Sequence, residues 1–401
     1  MEEDDSIRFQ ESRELENKRI ILGVTGSIAS IMSIKLSREL IRRGADVVAV
    51  LSDSAKNMID SSTLEYATGN DVVDEVGGGV QHVRELGKGG DADLFLIAPA
   101  TANTINKLAN GVCDTPVTLF GITAISNDKK VSIAPAMHES MLKNEITESN
   151  VDKLSDLGVN IIEPRFESGK AKLSDLSRII FEVKRQLEPE SLGNRRLLIT
   201  AGSTKEEIDD VRFLTNSGSG RMGAYLAEEA AIRGAEVTLI LGENDLDRLP
   251  CISNIINVSS YEEMRDRVQE QIEKNKPSVF ISTAAVSDFK VDKKEGKLSS
   301  SREIELSLRP REKIIDKVLD KSPEISVFSF KLEKEIEEAK EEALDIVEDK
   351  EIKLVVANGV KSMGTENMEC YMVSNEFVNK RKGKKRNVAK DILDYLERMD
   401  R

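Results

Sequence analysis

Two short stretches of this 401-residue chain set small, donor-rich residues between an apolar run and a helix-like run. One is GVTGSIAS, Gly23 to Ser30; the other is TAGSTKEEID, Thr200 to Asp209. Unpaired backbone N–H groups and the positive end of a helix dipole make such a turn suited to a phosphate. Gly26, Ser27 and Ile28 are the candidates in the first turn, Gly202 and Ser203 in the second. Neither turn has the Gly-x-Gly-x-x-Gly spacing of a dinucleotide fold or the Gly-x-x-x-x-Gly-Lys-[Ser/Thr] spacing of a P-loop, which demotes a dinucleotide. A further Gly-rich loop follows the second turn: Asn216, Ser217, Gly218, Ser219, Gly220 and Gly223, with Arg221 adding a cation. Two such loops over one sheet end imply a ligand rich in anionic oxygen, such as a triphosphate or a phosphorylated substrate.

Other chemically capable groups fall where apolar runs end. Ser52 offers a hydroxyl to phosphate, while Asp53 beside it keeps a ribose-binding alternative open. In APATANTINKLANG (Ala98 to Gly111), Thr101, Asn103, Thr104 and Asn106 crowd hydroxyls and amides around a strand end. They can read a heteroaromatic rim or simply cap the next helix. The chain has two histidines, His82 in VQHVREL and His138 in PAMHESM, the latter close to Met141. Both fall near the expected ligand edge, where an imidazole can move protons. In the second half, Asp288 can read a base or ribose or hold a metal, and Lys297 can neutralise phosphate charge; a solvated loop is the alternative. Phe330 in FKLE and the run LVVANGV (Leu354 to Val360) end two more strands.

The elements that carry these groups repeat. RIILGVTGS (Arg19 to Ser27) recurs as RLLITAGST (Arg196 to Thr204), and IRRGADVVAVLS (Ile41 to Ser52) as AIRGAEVTLILG (Ala231 to Gly242). DADLFLIAPATANT (Asp91 to Thr104) is echoed by KPSVFISTAAVSDF (Lys276 to Phe289). Each half reads as strand, Gly-rich turn, helix ending at a glycine (Gly44, Gly234), second strand, and a third strand running into a polar loop. Continuous apolar strands alternating with amphipathic helices predict an α/β fold of two tandem Rossmann-like three-layer domains with mainly parallel sheets. Ligands in such sheets bind beyond the carboxyl ends of the strands. The expected organisation is a charged, helical or frayed acidic arm over 1–17, a first domain over 18–186, a linker over 187–194 and a second domain over 195–401. The locally basic tail NKRKGKKRNVAKDILDYLER reads as a solvated helix face, with anion binding as its alternative.

Bulk composition narrows the partners. Fifty-eight basic against 72 acidic side chains leave a formal charge of −14, which argues against nucleic acid and membrane surfaces. With 39% apolar residues there is material for two cores. No run of about 18 apolar residues occurs, and the acidic MEEDDSIRFQ start is unlike a signal peptide, so a cytoplasmic location is expected. Cys113, Cys251 and Cys370 lie far apart and fit neither a zinc cluster nor a disulfide scaffold; each is expected as a small buried residue.

GVTGSIAS, His82, APATANTINKLANG and PAMHESM together resemble the flavin-dependent cysteine decarboxylase family over roughly residues 18–185. The resemblance implies a flavodoxin-like domain that binds FMN through Gly26, Ser27, Ile28, Ser52, Thr101, Ala102, Asn103, Thr104 and Met141. In that family FMN oxidises a cysteinyl thiol to a thioaldehyde, and the neighbouring carboxylate then leaves as carbon dioxide. His82 matches the family's acid/base histidine. His138 stands where the family has an asparagine that holds the substrate carboxylate. The segment IIEPRFESGKAKL (Ile161 to Leu173) occupies the family's flexible clamp but lacks its cysteine. Both departures resemble the archaeal branch.

Residues 195 to about 395 resemble the phosphopantothenate–cysteine ligases, and the tandem order resembles the fused enzymes of bacteria and archaea. That implies a nucleotide site, CTP rather than ATP, built from Gly202, Ser203, Ser219, Gly220, Asp288, Lys297 and Phe330, with Asp288 near Mg²⁺. Asn216 would handle the acyl-nucleotide intermediate, and Lys297 would be the catalytic lysine. The family's Ala-Asn-Asp-Val is ANGV here, so Gly359 lacks the acid, and Ser299 and Ser300 replace a lysine-rich run. The implied reactions join 4′-phosphopantothenate to cysteine at the expense of CTP, then decarboxylate the product. The resemblance also implies a homo-oligomer with a trimeric flavin domain and a dimeric ligase domain, together a dodecamer. A regulatory flavoprotein that has lost decarboxylation is the main alternative, and an NAD(P) oxidoreductase a weaker one.

Overall fold

The computed structural model describes residues 7–299, 301 and 303–399, and the chain divides into two compact units, Met1–Glu188 and Pro189–Arg401. Residues 1–6 of the acidic arm and Ser300 lie outside the described residues.

The first unit opens with β1 (Arg19–Val24), α1 (Met32–Ile41), β2 (Asp46–Leu51), α2 (Asp53–Lys56), α3 (Ser61–Thr68), α4 (Gln81–Leu86) and β3 (Leu94–Ala100). It continues with α5 (Ala102–Ala109), α6 (Pro116–Ser126), β4 (Lys130–Pro135), β5 (Met137–His138), α7 (Glu139–Leu142), α8 (Glu145–Asp156) and β6 (Asn160–Ile161). A flap of β7 (Arg165–Glu167) and β8 (Lys170–Lys172) precedes α9 (Leu176–Leu187). The parallel sheet runs β2-β1-β3-β4-β6. Every residue of β3 is buried, as a strand covered on both faces requires. Ile179, Ile180, Val183 and Leu187, spaced as one helical face, seat α9 on one side. Phe120 and Ala124 of α6 pack on the other. Strand order reverses between β1 and β3, so a crevice opens there at the carboxyl ends.

The arm residues from Ile7 onward are not frayed. Ile7 and Leu15 belong to the core, the Leu15 N–H donates to Arg43 O (2.8 Å), and Glu14 pairs with Lys184 (3.0 Å). Two apolar side chains that the sequence hides among charges are enough to anchor the segment.

The second unit runs β9 (Arg196–Ala201), β10 (Lys205–Glu207), β11 (Phe213–Thr215), α10 (Arg221–Ile232), β12 (Glu236–Leu241), β13 (Asn254–Asn257), α11 (Tyr261–Asn275) and β14 (Val279–Ser282). Then follow β15 (Phe289–Val291), β16 (Leu308–Pro310), α12 (Ile314–Lys321), β17 (Ser326–Glu333), α13 (Ile336–Asp349), β18 (Ile352–Gly359), β19 (Asn367–Val373), β20 (Val378–Lys384) and α14 (Lys385–Arg398). Its eight-stranded sheet has the order β13-β12-β9-β14-β17-β18-β19-β20, parallel up to β18 and antiparallel beyond. Two short antiparallel hairpins, β10–β11 and β15–β16, stand outside the sheet. The glycines expected to stop α1 and α10 do so: Gly44 and Gly234 have φ of 100° and 86°.

Candidate functional sites

In the first unit the expected ligand residues gather at the carboxyl ends of β1, β2 and β3. The turn after β1 tightens into a single 3-10 turn, Ile28–Ile31, capped by Ser27. The Ser27 N–H is used by Thr25 O (2.8 Å), and the Ser30 N–H by Ser27 O (2.8 Å), whereas those of Gly26 and Ile28 have no partner among the described residues. Two such donors side by side suit a phosphate. Gly26 is required by crowding: a Cβ there would lie 2.5 Å from Ser54 Cβ. Ser52 is buried, accepts the Ala55 N–H (3.3 Å) and shares a hydrogen with Ser54 (3.2 Å). A residue that spacing did not single out, Thr25, ties the two strand ends together. Its hydroxyl donates to Pro99 O (2.8 Å) and accepts the Thr101 N–H (3.0 Å).

Thr101 caps α5, accepting the Thr104 N–H (3.4 Å), with Thr104 buried against it. Ala102 is buried, and Asn103 is exposed at the rim. Asn106 departs from expectation. Its amide faces α8, bonded to Thr147 (3.4 Å) and Asn150 (3.0 Å), because it lies on the helix flank and not at its start. Ile28 on this turn is 83% exposed, and Met141, on the short helix α7 that follows β5, is 48% exposed.

The two histidines stand on different elements. His82 sits at the start of α4 with its ring 6.1 Å from that of Phe120 on α6. His138 is exposed on β5, in register with Lys170 of the flap, which forms a three-stranded sheet β5-β8-β7. The clamp segment is therefore physically attached to the histidine-bearing strand. Cys113 is exposed and Cys251 half-buried, contrary to the expected burial; Cys113 follows the Asn110–Gly111 turn, outside the apolar core. Cys370 alone is buried, and burial pushes its thiol up to about 12.

In the second unit Gly202, Ser203, the 216–220 loop and the segment after β14 converge. Gly202 has φ +78°, and a Cβ there would lie 2.5 Å from Glu243 O; a Cβ on Gly218 would lie 2.8 Å from Ala285. The Ser203 N–H donates to Glu243 O (2.8 Å), and its hydroxyl accepts from Thr215 (3.2 Å). Ser219 and Gly220 are half-buried against the loop after β12, where Asp245 donates its N–H to Ser219 O (3.2 Å). Asn216 spends its amide nitrogen on Ala285 O (3.3 Å) and Val286 O (3.0 Å). It bridges the loop to the segment carrying Asp288, and can donate to an acyl carbonyl only by releasing one of these. Phe330, half-buried on β17, packs against the core under this end.

Lys297 is exposed, but the loop carrying it is gripped from below. The N–H groups of Lys294, Gly296 and Leu298 donate to Ile208 O (2.9 Å), Asp210 Oδ2 (3.1 Å) and Asp209 Oδ2 (3.1 Å). Asp209 also accepts from Val211 and Arg212 N–H (2.8 and 2.6 Å) and from the Arg212 guanidinium (2.7 Å). Burial opposes its ionisation, yet the N–H groups of Val211, Arg212 and Leu298, with the Arg212 charge, hold it down at about 2. Sequence reasoning passed over Asp209; a pair of acids between two strand-like runs was the available signal.

Asp288 is exposed, and its backbone carbonyl accepts the Arg311 N–H (2.8 Å). Arg311 joins Glu206 and Glu262 and lies 4.4 Å from the Tyr261 ring centre, with its Nε and Glu206 Oε1 unpaired. No group of three or more His, Cys, Asp or Glu side chains able to hold a metal gathers among the described residues.

The fold is a flavoprotein domain followed by a second α/β domain. Residues 8–188 match the family model described as flavoprotein, and residues 192–399 the one described as DNA/pantothenate metabolism flavoprotein C-terminal domain. The chain is 43% identical over 393 residues to the coenzyme A biosynthesis bifunctional protein CoaBC of Thermococcus kodakarensis, covering 97% of each. To the protein of that name from Methanocaldococcus jannaschii it is 33% identical over 404 residues, 98% of this chain and 96% of the relative. A crystal structure of the C-terminal domain of a CoaBC protein superposes with TM-score 0.43 at 29% identity, over 52% of this chain and 97% of that one. The chain belongs to the family of bifunctional coenzyme A biosynthesis proteins.

Proposed function

We propose that this chain performs two consecutive steps of coenzyme A synthesis. The second unit ligates cysteine to 4′-phosphopantothenate, and the first decarboxylates the phosphopantothenoylcysteine so formed. The observation that carries this is the tandem of two strand-end sites in one chain that is related to the bifunctional proteins over 97% of its length. Neither site alone accounts for the other.

For the first unit the cofactor read here is FMN, which when bound supplies the oxidation of the substrate thiol. The N–H groups of Gly26 and Ile28 would hold its phosphate with Ser27 and Ser52, and Thr101, Ala102, Asn103, Thr104 and Met141 would line its ring. His82 would move the proton and His138 would hold the leaving carboxylate, with the flap closing on it. We read this site as one completed by a second copy. Val80 and Val83, 54% and 49% exposed, flank His82, and Ile31 beside the flavin turn is 65% exposed. Such apolar surface is what a trimeric flavin half would cover; the ligase half is read as a dimer.

In the second unit CTP would lie along Gly202, Ser203, Ser219, Gly220, Asp288 and Phe330. A carboxylate does not condense with an amine in water until its oxygen leaves easily, and nucleotidyl transfer with loss of pyrophosphate achieves that. Lys297 would neutralise charge developing at the α-phosphate, and Asn216 would orient the acyl group. Mg²⁺, with Asp288, would supply further charge to the same phosphates. We read the enzyme as cytoplasmic; no described helix is long and apolar enough to cross a membrane.

The test is to incubate the purified protein with 4′-phosphopantothenate, cysteine, CTP and Mg²⁺ and follow pyrophosphate and carbon dioxide. Both are expected. Pyrophosphate without carbon dioxide would leave a ligase joined to a regulatory flavoprotein, and ATP outperforming CTP would overturn the nucleotide assignment.

A further inference from the structure

The basic tail of the sequence has a place in the second unit. Helices α10 and α14 lie side by side with their amino ends together. The Tyr225 hydroxyl donates to Glu366 (2.9 Å), Arg221 approaches the same carboxylate (3.6 Å), and the Lys385 N–H donates to Glu366 O (2.8 Å). At the far ends Arg233 of α10's C-terminus binds Asp394 (2.8 Å) and Glu397 (2.7 Å) of α14. The two dipoles therefore point the same way, and neither amino end carries a side-chain cap.

Into this junction goes Lys385, the first residue of α14. It is only 7% exposed, and its ammonium forms no hydrogen bond or ion pair among the described residues, with Arg221 and Glu366 as its charged neighbours. Burial and the neighbouring Arg221 charge push its pKa down, and only Glu366 pulls it up. Glu366 is itself exposed and shared between Tyr225 and Arg221. A buried lysine whose neighbouring carboxylate is shared with other groups is costly unless something anionic completes it. Arg221, whose guanidinium also reaches Gly364 O (2.9 Å), directly follows the Ser219–Gly220 turn of the strand-end site. Two uncapped helix starts, Arg221 and the buried Lys385 together match a doubly charged phosphoryl group.

We infer that the paired amino ends of α10 and α14 form a phosphate site in which Lys385 and Arg221 hold a terminal phosphoryl group of a ligase substrate. This rests on the ligase reading of the second unit. The phosphoryl group comes either from 4′-phosphopantothenate or from the nucleotide, and binding of each to the full-length protein distinguishes them. Lys385→Gln should weaken one of the two by about 10- to 100-fold, the scale of a charge-assisted hydrogen bond, while leaving the other within about twofold. Lys385→Arg should restore most of it. If the acid is the source, the variant also loses its preference for 4′-phosphopantothenate over pantothenate. Removing an uncompensated cation should leave the thermal midpoint unchanged or higher, so a binding loss is not a folding loss. Unaltered affinity for both ligands in Lys385→Gln and in Arg221→Gln would overturn the inference. Wild-type protein that binds 4′-phosphopantothenate through Lys385 but forms no pyrophosphate would instead sink the ligase reading and leave the phosphate site standing.

Discussion

Replacing Gly26 by alanine tests the flavin turn with a single methyl group. The φ of Gly26 is not in the left-handed region, so alanine meets no backbone penalty and the outcome depends on space alone. The added Cβ would lie 2.5 Å from Ser54 Cβ and 3.1 Å from its carbonyl carbon, whereas carbon atoms rest at about 3.5–4.0 Å. Something must therefore move by roughly 1 Å, and such overpacking costs about 1–3 kcal/mol. Ser54 is held by Ser52 (3.2 Å), which itself caps α2, so part of the displacement passes to the turn whose Gly26 and Ile28 N–H groups face the ligand. If the turn absorbs that energy, FMN affinity falls by about 5- to 100-fold, at tenfold for each 1.4 kcal/mol. Titrating apoprotein with FMN and following flavin fluorescence measures it. Adding Ser54→Gly removes the nearest atoms, leaves the 3.1 Å contact, and should recover most of the loss. A Gly26→Ala protein that binds FMN within twofold of wild type, or a double variant no better than the single, would refute the assignment of this turn to the phosphate.

Further outcomes follow from the two sites. His82→Asn should stop carbon dioxide release while sparing pyrophosphate, and Lys297→Gln should do the reverse when phosphopantothenoylcysteine is supplied; equal losses in both assays would break the division of labour. Asp209→Asn puts an amide where the Leu298 N–H and Arg212 must dock, so pyrophosphate release should fall by roughly tenfold or more. Because folding lowers that carboxyl from 3.8 to about 2, its contribution to stability is complete above pH 3.8 and is lost as the pH falls towards 2. The stability gap between wild type and Asp209→Asn, read by urea unfolding, should therefore close across that interval; a gap independent of pH would contradict the clasp. Arg233, buried between Glu229, Asp394 and Glu397, should destabilise the second unit by about 3–5 kcal/mol when replaced by methionine. Adding Glu229→Leu should return much of that in the same urea assay.

The sequence alone determined the element types, the two-fold strand–turn–helix recurrence and the strand-end turns at Gly26 and Gly202. Hydrophobic period, helix-stopping glycines and turn residues act over a few positions, so they can be read from one chain. Tertiary structure decided what each polar group faces. Asn106 and Asn103 share one polar run, but a helix turns one towards α8 and the other to the rim. Cys113 lies in solvent because the chain turns outward at Gly111, whose φ is 71°. Asp209 meets the Lys297 loop across 89 residues of sequence, and the Lys385 junction exists only because α10 and α14 pack with parallel dipoles. Such meetings are fixed by sheet order and helix packing, which depend on the whole buried surface and leave no mark at the residues they join.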